Sequence, residues 1–128
     1  MPKHVEQTIQ IALAGYLYNL ERVSKLFTFT HPANEGKRSP WQGALLKRCG
    51  LRPGEHDLII FPNLERTDKT RPFFIELKVP PNKLSKDQET RRDLLRSMGY
   101  HAYEIRTASV TEALRQLETI LRAEGMLQ

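Results

Sequence analysis

The chain has 128 residues, of which 39% are hydrophobic and 27% charged, a balance that excludes a disordered chain at one extreme and a membrane-embedded one at the other. One domain covering residues 1–128 is expected at this length, large enough to bury its own core. The net charge of +5 and the pI near 9.6 suit an anionic partner such as nucleic acid, and equally suit plain solubility.

A lone cysteine, Cys49, excludes an intrachain disulfide and argues against a cysteine-based zinc cluster. His4, His31, His56 and His101 are scattered, with no pair at metal-site spacing. The N-terminal stretch has no long apolar run after its charges. A cytoplasmic protein with no membrane association and no small-molecule cofactor is therefore expected.

Val5, Ile9, Leu13, Tyr16, Leu17 and Leu20 recur at helical spacing, which predicts an amphipathic helix over residues 3–21. Leu26 to Thr30 is short, aromatic and β-branched, as strands are. A polar loop from His31 to Arg38 follows. Ser39, Pro40 and Gln42 then form a capping-box signature for a short helix that stops at Gly50. Trp41 on that helix could stack a base but is expected in the core.

Pro53-Gly54 forces a turn before Asp57-Leu-Ile-Ile-Phe61, an apolar run expected to be a strand buried on both faces. Residues 62–71 form a polar connection to a second central strand, Phe73 to Val79, ended by Pro80-Pro81. Ser85 and Gln88 make another capping box, opening a helix that runs to Met98 with Gly99 as its stop. Tyr100 to Ile105 reads as a strand. Ser109 caps a last helix whose apolar side carries Val110, Ala113, Leu114, Leu117, Ile120 and Leu121. The order α-β-α-β-β-α-β-α predicts an α/β domain, with a mixed central sheet of four strands flanked by helices.

The chemistry concentrates in Glu76-Leu77-Lys78. In a strand Glu76 and Lys78 share one face and Leu77 takes the other. Burying a carboxylate and an ammonium is costly unless they find partners, and Asp57, at the start of the neighbouring run, offers one. Two readings stand for these residues alone. One is a cross-strand ion pair; the other is a hydrolytic site in which two carboxylates hold Mg²⁺ beside an ammonium. In the second, Lys78 orients or helps deprotonate water, or holds phosphate oxygens.

The surroundings favour the second. Gly50 to Ile60 with Asp57 inside it, Phe74-Ile-Glu76-Leu-Lys78, Leu84 to Gln88, and Leu94 to Tyr100 follow one another in fixed order. Together they resemble the VRR-NUC group of the PD-(D/E)xK nuclease superfamily over roughly residues 5–121, and Glu6 and the His31-Pro-Ala-Asn loop resemble its opening segment. The resemblance implies a restriction-endonuclease-like fold and phosphodiester hydrolysis with Mg²⁺ or Mn²⁺. It places Asp57 and Glu76 as metal ligands with the Leu77 carbonyl, Lys78 as the catalytic lysine, Gln88 as the catalytic helix glutamine, and Glu6 as a further acidic ligand. It also implies a similarity to stand-alone phage proteins that dimerise and cut branched DNA such as Holliday junctions.

One position departs from the family pattern: His56 stands where proline usually precedes the aspartate. By strand alternation His56 should face away from Asp57. The departure leaves open an alternative, a non-catalytic DNA-binding module on the same fold. Gln88 has its own local explanation in the capping box, but it shares a helical stripe with Arg91, Leu95 and Met98 that should cover the sheet. Glu6 flanks the apolar stripe of the first helix and could equally be a solvated first-turn acid. Lys37, Arg38, Lys47, Arg52, Lys83, Ser85, Lys86, Arg91 and Arg92 are the candidate contacts to DNA phosphates.

Overall fold

The computed structural model of the chain describes residues 2–32, 39–50 and 52–128. The elements run α1 (Pro2–Ser24), β1 (Phe27–Thr30), α2 (Pro40–Arg48), β2 (Leu58–Pro62), β3 (Phe73–Lys78), α3 (Lys86–Ser97), β4 (His101–Arg106) and α4 (Val110–Ala123). This is the predicted order. Both predicted capping boxes are made: Ser39 with Gln42 and Ser85 with Gln88. The chain leaves α1 through Lys25, whose φ of 58° is a left-handed stop that sequence rules assign to glycine. The helix therefore continues past the predicted end at residue 21. Among the described residues no helix is long and apolar enough to cross a membrane.

The four strands form one mixed sheet in the order β1-β2-β3-β4. β1, β2 and β3 pair antiparallel, with Phe29 opposite Ile60 and Leu58 opposite Ile75. β3 and β4 pair parallel, and a parallel pair needs a crossover. Here α3 supplies it, so the start of α3 follows the C-terminal end of β3.

Alternation along β3 divides the core. Phe73, Ile75 and Leu77 join Leu58, Ile60 and Ile105 against Ile9, Leu13 and Leu17 of α1 and Ala113, Leu117 and Leu121 of α4. Phe74 and Ala102 lie on the opposite face, under Leu95 of α3. Burying a core of this size is the main stabilising term. The fold is α/β, a mixed four-stranded sheet with helices packed on both faces.

Two expectations fail here for one reason, which is where the helices lie. β2 is buried on the α1/α4 face only: Ile59 is half-buried and Phe61 exposed, because α3 packs over β4 and not over the far end of β2. Met98, placed on the sheet-covering stripe, is exposed beyond the last turn of α3. Trp41 departs further. Among the described residues α2 packs against no other element and buries no residue, and Trp41 is 72% exposed.

Gly54 ties the approach to β2 onto the start of α3. Its φ is +76°, and a Cβ there would lie 2.4 Å from the backbone carbon and oxygen of Asp87 and 2.6 Å from the nitrogen of Gln88. Only glycine meets both demands. Gly54→Ala is expected to lower stability by about 2 kcal/mol or more, seen as a lower urea midpoint with an unchanged m-value. A substitution that leaves the midpoint in place would show that this approach is not constrained.

Candidate active site

Glu76 follows Phe74 on the α3 face of β3. It is 4% exposed, near the end of the strand, and Lys78 is half-buried one step further on the same side. The N-terminal turn of α3 reaches this point, since Ser85 sits seven residues after Lys78 and caps the helix. Gln88 performs both roles weighed for it. Its Oε1 accepts from the Ser85 backbone N–H at 2.8 Å, while its Nε2 donates to Glu76 Oε2 at 3.0 Å. The capping bond fixes the side chain so that its amide meets the strand.

Asp57 enters from β2. The β2–β3 ladder ends at Leu58 opposite Ile75, and the next free donor on that edge, the Leu77 N–H, goes to Asp57 Oδ2 at 2.7 Å. A strand residue turns its N–H and its C=O to the same edge. The Leu77 carbonyl therefore faces Asp57's side of the strand, while Lys78 turns its carbonyl to Thr107 beyond β4. The Asp57 carbonyl is met by His31 Nδ1 at 2.5 Å. A carbonyl only accepts, so that ring nitrogen carries the proton.

The electrostatics distinguish Glu76 from the other buried carboxylate, Glu124. Glu124 has two partners on Oε2, Tyr103 and His101, both at 2.5 Å. Glu76 has one partner, on Oε2, and its Oε1 is buried with no donor among the described residues. Burial first, then the nearby Asp57 carboxylate, hold the Glu76 carboxyl far above the usual carboxylate range. Lys78 pulls the other way, and Glu6 adds a smaller push upward. No ion pair joins Lys78 to Asp57 or Glu76 among the described residues. The cross-strand salt bridge read from the sequence is therefore absent. Two carboxylates converge there without a counter-ion in contact.

Alternation does not extend back to His56. The strand begins at Leu58, and the buried His56 ring packs 5.7 Å from Phe74, on the face that also carries Glu76. It does not face away as expected. Its Nδ1 stands 3.5 Å from Glu55, too far for a hydrogen bond. Glu55 takes two hydrogen bonds from Arg91, at 2.9 and 3.1 Å. Burial works to raise its pKa, and the contacts from His56 and Arg91 overcome this, bringing it down to about 2. Arg91, expected among the phosphate contacts, is thus committed to Glu55.

Of the other basic candidates, Lys37 and Arg38 lie outside the described residues. Lys47, Arg52, Lys83 and Lys86 are exposed, as is the uncharged phosphate-contact candidate Ser85, and Arg92 pairs with Asp93 at 2.9 Å. The His31–Asp57 bond, the seat of Gly54 on α3 and the Glu55–Arg91 pair were not read from the sequence. A signal for the pair existed, since Arg91 lies three residues after Gln88 on the same stripe.

Among the described residues no group of three or more histidine, cysteine or acidic side chains is placed to hold a metal ion, while Glu6 lies near enough for its charge to act on Glu76. The donors that do converge are two carboxylates and a main-chain carbonyl. That set fits a hard divalent cation keeping several waters, and the orphaned Glu76 Oε1 is the atom such an ion would satisfy.

The raised pKa of Glu76 gives a stability prediction. Its stabilising contribution is fully present below the unfolded value near 4.5 and is lost as pH rises towards the folded one. Without divalent metal, Glu76→Gln should therefore match the parent near pH 5 and melt several degrees higher at pH 8. Parallel melting curves at the two pH values would contradict the assignment.

No family model and no curated protein matches the chain. A solved structure described as a VRR_NUC domain protein does: the two share 21% identity and a TM-score of 0.57, over 88% of this chain and 86% of that one. The fold of this chain is that of a VRR_NUC domain protein, as its sequence motifs imply.

Proposed function

We propose that residues 1–128 form a single VRR-NUC-type nuclease domain, an endodeoxyribonuclease dependent on Mg²⁺ or Mn²⁺. One observation carries the reading: Asp57 and the incompletely bonded Glu76 converge at the end of the β2–β3 ladder, beside a Lys78 that forms no ion pair among the described residues. Asp57, Glu76 and the Leu77 carbonyl would hold the cation. When bound, it supplies charge neutralisation at the phosphate and a lowered pKa for water. Gln88 holds Glu76 in place through Oε2. Lys78 holds a phosphate oxygen or orients the water that attacks phosphorus as the P–O bond to the leaving strand breaks.

The substrate proposed is branched DNA, a Holliday junction or a related structure, cut by a homodimer whose two sites suit a two-fold substrate. Exposed Lys83, Ser85 and Lys86 lie at the mouth of α3, next to Gln88, where phosphates would be positioned without base reading. The grip of Leu77 and His31 on Asp57 supports catalysis over the binding-only alternative, because the aspartate is held although His56 replaces proline.

The test is cleavage of four-way, flap and linear DNAs with Mg²⁺ or Mn²⁺. Lys78→Ala should lower turnover by about 100-fold or more, while Mn²⁺ still raises the melting temperature. Asp57→Asn should lose both cleavage and the metal-induced shift. Cleavage that persists in EDTA or in Lys78→Ala would overturn the mechanism, and tight junction binding with no nicking in either metal would favour the binding module.

A further inference from the structure

α2 is the element that the fold leaves unexplained. It packs against no other helix or strand among the described residues, yet nine-residue helices alone are marginal in water. Its Ser39–Gln42 capping box secures the first turn, but no core does the rest. Its surface is specific: Trp41 is 72% exposed, and Leu45, one turn on and 41% exposed, lies beside it. The last turn ends in exposed Lys47 and Arg48, and no acidic residue occurs from Ser39 to Gly54.

The chain path ties this helix to the site. β1 ends at Thr30, paired with Ile59, and His31 bonds the Asp57 carbonyl. The connection that carries α2 therefore leaves and re-enters the sheet at Asp57. An isolated exposed aromatic is ordinary, but an indole beside cations, on an unpacked helix rooted at a phosphodiesterase site, is not.

Resting on the nuclease reading, we propose that α2 is a nucleic-acid-engaging helix on which Trp41 stacks an unpaired base while Lys47 and Arg48 contact the adjoining phosphates. The partner is DNA with unpaired nucleotides at a branch or arm. Charge decides between this occupant and a second copy of α2. Two such helices face to face would supply no acid to either pair of cations, whereas a polyanion neutralises them. Base stacking on an aromatic is sequence-tolerant, which suits a protein selecting structure.

Trp41 is the sole tryptophan, so intrinsic fluorescence reports on this contact alone. The measurement is a titration in EDTA with a blunt duplex and with the same duplex bearing an unpaired oligo-dT arm. Arm DNA should quench the emission and blunt duplex should not. Trp41→Ala should weaken arm binding about 10-fold and leave blunt binding unchanged. Trp41→Phe should recover most of the loss. Lys47→Ala/Arg48→Ala should weaken both DNAs and flatten the salt dependence. Equal quenching by both DNAs, or an unchanged affinity in Trp41→Ala, would overturn the proposal. So would a fall in sedimenting mass in Trp41→Ala, which would assign the face to self-association. Since no metal is present, failure here leaves the hydrolytic site standing, and an absence of cleavage leaves this contact standing.

Discussion

Asp57 and Glu76 are forced together by strand geometry. Because β2 and β3 are antiparallel and their ladder stops at Leu58 and Ile75, the following residue on one strand and its counterpart on the other arrive side by side. Both carry carboxylates; Glu76 is buried and Asp57 half-buried. Asp57 answers with the Leu77 N–H, so a side chain replaces the missing main-chain partner. Glu76 is answered only in part. Repulsion between like charges in a desolvated site is costly, and the body around it is arranged to hold the pair rather than relieve it. The α1/α4 core fixes β3 through Phe73, Ile75 and Leu77, leaving the alternate side chains no freedom to rotate away.

α3 completes the enclosure from the other face, and several contacts set its first turns. Gly54 lets the β2 approach lie against Asp87 and Gln88, Arg91 grips Glu55, and Gln88 reaches Glu76. These join the segment before Asp57 to the helix above Glu76, so the two carboxylates reach the site from elements that are themselves cross-tied. The His56 ring fills the space beside Phe74 within that tie. A histidine there occupies a volume in the packing and leaves Asp57 in position, which is why a departure at this residue does not dismantle the site.

Periodicity and capping chemistry are local, and they carried the fold: eight elements in order, both capping boxes, and the shared face of Glu76 and Lys78 follow from spacing alone. What lay beyond the sequence depends on which surfaces meet. The run at β2 has the same apolar pattern whether or not a helix covers its far end. Trp41 has a helical neighbourhood whether or not that helix packs, so its exposure could not be foreseen. Arg91 carries one charge in any account. Only the fold reveals that Glu55 claims it. His31 and Asp57 are 26 residues apart, and nothing in either segment announces their bond.

The root of α2 has a consequence for how such a scaffold can diversify. His31 and Asp57 pin the two ends of the β1–β2 connection together, so the stretch between them is a closed excursion from an otherwise finished sheet. Within it, α2 buries no residue and pairs with no strand, so changing that helix alone alters no strand register and leaves Gly54, Glu55 and His56 in place. Loop closure entropy rises only slowly with length, so such changes are thermodynamically mild. On the proposed reading, hydrolysis and recognition are separable traits: one rests on the sheet, and the other on a helix whose chain path leaves and returns beside Asp57.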